Sequence, residues 1–313
     1  MKNSPVLRKA VQDIRTSFIK FPHVRNILNA MDRLYDYRCL NEEPEHLALL
    51  GESGVGKSTL LIRYRDDHPA IEHDELTEVP VLYVAIGPSP TPKALASSIL
   101  RALGDPKCDI GKEVDLTYRL VLLIKLCRVR LVIIDEANHL IDRGGEKTHH
   151  VAADWLKRLV DATRVSFVLA GIPRTRRLFE KNDQLRSRFR EVIEIDRFSV
   201  ENGSAELQFR GVLWAFKKEY LREVPTIDIS SATMARKFAF ATDGRLRDIR
   251  RLLVRAVELS YQESEPRLTE GILSDAFRTV IHPGAPNTRN PFHESFNELP
   301  LVKADEPFAL VER

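Results

Sequence analysis

Five short apolar runs in the first two thirds of the chain constrain its fold more than any other feature. They are "HLALL" (46–50), "VLYVAI" (81–86), "LVIID" (131–135), "SFVLA" (166–170) and "EVIEID" (191–196), most of them rich in β-branched residues. Between them lie longer segments with the apolar spacing of helices. Parallel strands need long crossover connections, and helical crossovers cover the faces of the sheet, so strands of this kind are apolar on both sides. The expected fold class is therefore α/β, with a five-stranded parallel sheet at its centre.

The loop after the first run carries "GESGVGKST" (51–59), which meets the pattern G-x-x-x-x-G-K-[ST] at Gly51, Gly56, Lys57 and Ser58. Its flanks fit: strand "HLALL" enters it and helix "TLLIRY" (59–64) leaves it. In such a loop Gly51, Glu52, Ser53, Gly54, Val55 and Gly56 turn backbone N–H groups toward a phosphate chain. Lys57 reaches the β- and γ-phosphates, Ser58 ligates magnesium, and Thr59 stands in the first helical turn, where the dipole favours negative charge.

The third run ends in Asp135 and Glu136, at a strand's carboxyl edge and expected beside the loop. Asp135 would hold the magnesium hydration shell, and Glu136 would polarise an attacking water. A glutamate directly after that aspartate separates ATPases of the additional-strand class from nucleotide kinases and small GTPases. No guanine-reading N-K-x-D occurs. The expected cofactors are ATP and Mg2+, and the expected reaction is hydrolysis.

Three candidate arginines extend this site. "PRTRRLFEKNDQLRSRFR" (173–190) has seven basic residues against two acidic ones. Most of these form a solvated surface, but Arg188 first, and Arg186 second, precede the fifth strand. From there an oligomeric ATPase projects an arginine at its neighbour's γ-phosphate. Further on, "DGRLRDIRRLL" (243–253) contains G-x-x-R, and Arg247 one turn into that helix is suited to fold over a nucleotide; the alternative is surface charge beside Leu246, Ile249, Leu252 and Leu253.

Among the 313 residues, 43% are hydrophobic, enough for a sizeable core, and 48 basic against 45 acidic residues leave a net charge of only +3. Nucleic-acid contact must then come from local clusters. Cys39, Cys108 and Cys127 have neither C-x-x-C spacing nor an even count, which points to free thiols in a reducing, cytoplasmic setting. No apolar run is long enough to span a membrane, and the N-terminus lacks a signal-type apolar region. Four regions are expected: an N-terminal arm (1–22), an α/β nucleotide-binding domain (23–200), a small helical lid (201–281) and an extended tail (282–313). The tail holds five prolines, five acidic and three basic side chains, and its "NPFHESF" (290–296) and "PFALV" (307–311) suit an extended peptide docking in a partner's groove.

The G-K-[ST] loop (Walker A), the "DE" strand end (Walker B), an R-F before the last strand and G-x-x-R in a helical lid together resemble the AAA+ ATPases over about residues 20–281. "DEANHLI", the helix "ADWLKRLVDAT" and "FVLAGIPRTRRLFEKNDQLRSRF" resemble more narrowly the TniB/TnsC family, the ATP-dependent regulators of DNA transposition. The resemblance implies a homo-oligomer, ring or helical filament, around double-stranded DNA. Its further partners would be a transposase and a target-selection protein, and hydrolysis would dismantle the assembly. It also implies a loop lining the DNA channel, "DRGGEKTHH" (142–150), with Arg143, Lys147 and Thr148 at phosphates; Lys93 in "TPK" is a weaker candidate. One departure from the general AAA+ pattern is Gly171 where a polar sensor residue belongs, so that role is absent or moved to Thr175. His139, His149 and His150 lack ligand spacing for a metal.

Two other readings share some of these features. A helicase, clamp loader or replication initiator would carry the same nucleotide motifs; an initiator's usual winged helix would not fit in the 32 residues after Ile281. A nucleotide-gated signalling switch would not bind DNA at all.

Overall fold

The computed structural model describes residues 5–37, 43–88, 90–142, 146–180 and 182–309, with backbone alone for 142 and 146–150. Helices α1 (Pro5–Arg15) and α2 (Pro22–Asp36) precede β1 (His46–Gly51) and α3 (Lys57–Asp66). A ribbon of β2 (Ile71–Glu72) and β3 (Thr77–Glu78), not anticipated from the sequence, leads to β4 (Val81–Ala85), α4 (Pro92–Ala102) and α5 (Glu113–Leu126). Then come β5 (Leu131–Asp135), α6 (His139–Asp142), α7 (Glu146–Thr163), β6 (Ser166–Gly171), α8 (Arg176–Glu180), α9 (Asp183–Arg188) and β7 (Glu191–Ile195). The remaining helices are α10 (Gly203–Ala215), extended by a π-helical turn (Phe216–Tyr220), α11 (Ala232–Thr242), α12 (Leu246–Ser260) and α13 (Glu270–Val280).

These elements divide into two compact units, Pro22–Ile195 and a second formed by Met1–Phe21 with Asp196–Arg313. In the first, five strands form one parallel sheet in the order β4-β5-β6-β1-β7. All residues of β1, β5 and β6 are buried, as continuous apolar runs require. On one face Leu82, Val84, Val132, Ile134, Phe167 and Leu169 share a core cluster with side chains of α4, α5 and α7. Register aligns Leu50 with Gly171, Gly51 with Ile195 and Ala85 with Asp135. The carboxyl ends of the strands therefore finish at one edge, where an open α/β sheet takes its ligands.

The second unit has its own apolar cluster, built on Phe209, Phe216, Phe238, Ile249, Leu253 and Phe277. Both chain ends belong to this unit. The N-terminal arm packs on this cluster, where Ala10 and Ile14 of α1 are buried. Arg250 of α12 anchors the arm by donating to the Ser17 hydroxyl at 3.0 Å and to the Ser17 carbonyl. The tail has neither α-helix nor strand among its described residues; of its expected anchors Phe292 and Phe308 are buried in the same cluster, as is Leu301 between them, whereas Phe296 is partly buried and Leu310 and Val311 lie outside the described residues. Burying each such side chain contributes about 1.5–3 kcal/mol. Arg289 closes the tail from within, bonding the Glu306 carboxylate at 2.5 and 2.8 Å, the Asn297 side chain and the carbonyls of Leu299 and Pro300.

Candidate active site

The glycine-lysine loop joins β1 to α3, and two of its residues adopt conformations that other side chains rarely tolerate. Gly54 has φ of 88° and Gly56, the N-cap of α3, has φ of 105°. Left-handed residues within a tight loop form an anion-binding backbone concavity at a helix N-terminus. Lys57 opens α3 and its ammonium bends back over this loop, donating to the carbonyls of Gly51 at 2.7 Å and Glu52 at 3.1 Å. The side chain is buried, and burial pushes its pKa down while Asp135, Glu136 and Glu52 act in the opposite sense. Lys57 thus lies in the field of the acidic pair that ends β5. Ser58 and Thr59 follow in the first turn of α3, partly buried and exposed respectively.

Asp135 is the last residue of β5 and only 1% exposed. Its Oδ1 accepts the N–H of Glu136 at 2.8 Å and its Oδ2 accepts the Tyr83 hydroxyl at 2.9 Å. Burial first, and then the Asp135 carboxylate, raise the Tyr83 phenol well above its ordinary value, so Tyr83 stays a donor. Glu136, by contrast, is exposed and has φ of 57°. A left-handed backbone at a non-glycine residue costs about 1–2 kcal/mol, and such strain clusters at functional sites. The turn is held by the N–H of Ala137 on the Ala170 carbonyl at 2.8 Å and the N–H of His139 on the Glu136 carbonyl at 3.0 Å.

The acidic strand is not the loop strand's neighbour: β6 stands between β1 and β5. With that strand inserted, Asp135 still ends at the carboxyl edge within the field of Lys57. At the end of β6, a Cβ on Gly171 would lie 2.3 Å from the Thr175 hydroxyl. That hydroxyl occupies the space where a residue-171 side chain would begin, and Thr175 is fully buried. Glycine at 171 is therefore required by the threonine four residues on.

No group of three or more His, Cys, Asp or Glu side chains suited to a metal occurs among the described residues. Magnesium needs fewer protein ligands than that, commonly one or two together with water and phosphate oxygens. Asp135, whose two oxygens each accept one hydrogen bond and keep a lone pair, and the Ser58 hydroxyl fit that requirement.

The arginines fall elsewhere. Arg188 ends α9 at the amino edge of the sheet, opposite the loop, and its Nε donates to Asp161 of α7 at 2.9 Å. Arg186 forms an exposed pair with Asp183 at 2.8 Å. Arg247 lies in the second unit, in the first turn of α12, more than half exposed and 3.5 Å from Asp248. Of its neighbours, Arg245 pairs with Asp243 and Arg250 holds the arm. Lys93 is exposed in the first turn of α4, behind the N-cap Thr91. Arg143 and the side chains of Lys147 and Thr148 lie outside the described residues. Three residues at these sites escaped the sequence reading: Tyr83, Asp161 and His46. Each stands in an apolar run or helix with no local motif to mark it.

A glycine-lysine loop after β1, an acidic pair after β5 and a strand inserted between the two define the fold of the AAA+ ATPases. The chain belongs to the TniB family: the family model described as bacterial TniB protein matches residues 11–199. No curated protein matches the sequence. Among solved structures it is similar to the Aeropyrum pernix ORC2 protein in its ADPNP-ADP complexes, with a TM-score of 0.62 and 18% identity over 87% of this chain and 71% of that one. The Aeropyrum pernix ORC1 protein in complex with DNA gives 0.60 and 19%, over 88% and 69%. The Thermotoga maritima RuvB Holliday junction branch migration motor gives 0.52 and 17%, over 88% and 73%. At such identities the likeness is one of fold.

Proposed function

We propose that this protein is an ATP-dependent regulator of DNA transposition that assembles on duplex DNA, links a target-selection protein to a transposase and disassembles on hydrolysis. The observation that carries the reading is the convergence of Lys57, Asp135 and Glu136 at one sheet edge in a chain of the TniB family. The loop backbone and Lys57 bind the phosphates. Magnesium, held by Ser58 and Asp135, would neutralise charge on the β- and γ-phosphate oxygens. Tyr83 fixes one Asp135 oxygen, so the carboxylate keeps one orientation. Glu136, exposed at the edge, orients the attacking water.

Arg188 completes the site from another subunit. Along β7 and β1, which run parallel in register, the amino and carboxyl edges are a strand's length apart, roughly 16 Å for five residues. That is longer than an arginine side chain, so in this reading the loop that Arg188 serves is a neighbour's and not its own. This supports a homo-oligomer. The DNA complex of the similarly folded ORC1 protein supports a DNA-bound form. Arg143, Lys147, Thr148 and Lys93 would contact phosphates, and Arg247 would close over the nucleotide.

Electron microscopy of the protein with duplex DNA and a non-hydrolysable ATP analogue tests the reading. Rings or filaments on DNA are expected. Protein that stays off DNA in every nucleotide state would overturn the reading in favour of a nucleotide-gated switch.

A further inference from the structure

At the amino edge of the sheet lies a cleft of about 1320 Å³, reached by the first residues of β1, β6 and β7. Its lining includes six cations, Arg33, Lys125, Arg130, Arg164, Arg188 and Arg190, against four carboxylates. Several of the cations have local contacts: Arg33 pairs with Glu191 at 2.6 Å, Arg188 with Asp161 at 2.9 Å, Arg190 donates to the Ser187 carbonyl at 3.1 Å, and Arg130 lies over the Tyr35 ring at 5.2 Å. The surplus of positive charge suits an anion brought in from outside.

Arg188 is held in this cleft from behind. Phe189, its neighbour, is 2% exposed and packs on His46, with ring centroids 5.1 Å apart, and on Phe179 at 5.6 Å. This fixes the backbone at the end of α9. The helix is further braced along one face of α7, whose residues 154, 157 and 161 recur at helical spacing. Asp154 accepts from Asn182 at 3.0 Å, Lys157 donates to Gln184 at 2.7 Å, and Asp161 accepts from Arg188 at 2.9 Å.

The last contact has a particular form. Asp161 engages Arg188 through Nε, and the two terminal nitrogens make no hydrogen bond to a described residue. A guanidinium has two faces for bidentate contacts, and the one formed by its terminal nitrogens matches a phosphate. The brace occupies Nε alone and the side chain is 43% exposed, which leaves the terminal nitrogens to an anion from outside.

We propose that Asp161 is a positioning residue for the arginine that acts in trans: it orients Arg188 so that its terminal nitrogens meet the neighbouring subunit's γ-phosphate. The inference rests on the trans reading given above. It predicts that Asp161 belongs with Arg188, and not with Lys57, when inactive subunits are mixed.

The test uses full-length Asp161→Asn, Asp161→Glu, Arg188→Ala and Lys57→Ala. Binding of a fluorescent ATP analogue to Asp161→Asn should match that of the unaltered protein, which shows that its own loop is intact. Its kcat in the assembled state should fall about tenfold or more while KM changes less than about twofold, and Asp161→Glu should restore part of it. Mixed with Lys57→Ala, Asp161→Asn should regain activity, because one mixed interface has both a sound loop and a positioned arginine. Mixed with Arg188→Ala it should regain none. Turnover of Asp161→Asn within twofold of normal, or its failure to complement Lys57→Ala where Arg188→Ala succeeds, would overturn the role of Asp161. Failure of Arg188→Ala itself to complement Lys57→Ala, with co-assembly shown, would overturn the trans reading and the role of Asp161 with it.

Discussion

The two edges of the central sheet each present a cation, and they hold it in different ways. At the carboxyl edge Lys57 is 7% exposed and its ammonium is gripped by two backbone carbonyls of its own loop. At the amino edge Arg188 is 43% exposed and held by a side-chain carboxylate at a single nitrogen. A cation that serves a ligand of its own subunit can be enclosed by backbone, because the ligand enters the same concavity. On the proposed trans reading Arg188 serves a ligand bound elsewhere, and its brace leaves the terminal nitrogens to that ligand. The residue types follow: a lysine ammonium is compact and adaptable, whereas a guanidinium stays charged and offers one face to a brace and another to a phosphate.

The largest expected effect tests the carboxyl edge. Lys57→Ala should abolish ATP binding, while Glu136→Gln should retain binding and lose turnover by about 10²-fold or more. Equilibrium binding and steady-state hydrolysis measured side by side distinguish the two; unchanged turnover in Glu136→Gln would remove the difference drawn between a binding lysine and a catalytic glutamate.

A smaller effect probes what lies under the amino edge. His46 is buried, its Nδ1 accepts the Phe167 N–H at 3.1 Å, and its pKa is lowered to about 4 by burial first and then by Arg188. Between about pH 4 and the ordinary histidine value near 6.5, the unfolded chain therefore binds a proton that the folded chain does not. Stability from this group is complete above about pH 6.5 and is lost as pH falls toward 4, on the order of 3 kcal/mol in all. Urea unfolding across that range should show a shallower acid slope in His46→Asn, which keeps an acceptor but cannot titrate. An identical slope in the variant would mean that the support of Arg188 does not depend on a neutral ring.

The smallest effect separates neighbouring arginines. Arg186 pairs with Asp183 in solvent, and exposed pairs contribute little. Arg186→Ala should hydrolyse ATP within about twofold of normal under conditions where Arg188→Ala is inactive. Equal loss in both would erase the distinction that the Asp161 brace provides.

Much of this was legible in the chain. All five strands were marked by apolar runs; β1, β5 and β6 are buried throughout and so have few polar positions to obscure them, while the edge strand β7 keeps Glu191 and Glu194 between apolar residues. The loop and the acidic pair were legible for a related reason: phosphate binding needs glycines, lysine and a hydroxyl at fixed spacing along one contiguous segment. Tyr83, His46 and Asp161 were not legible. Tyr83 meets Asp135 from 52 residues away and Asp161 meets Arg188 across 27, so neither pairing leaves a local pattern.

The chain ends show the same division. The prolines and aromatics of residues 282–313 marked a segment without regular structure, but composition could not say whether Phe292 and Phe308 serve a partner or their own unit. Apolar anchors look alike in both cases, and the packing with the helical cluster decides it. The sequence by itself determined the strands, the phosphate loop and the acidic pair, because each follows from periodicity or from contiguous residues. Only the tertiary structure decided that β6 stands between β1 and β5, that the arm and tail join the helical unit, and that Arg188 meets Asp161 at the amino edge of the sheet. Those depend on which distant segments meet, and burial and hydrogen bonding between remote residues are set when the chain closes on itself.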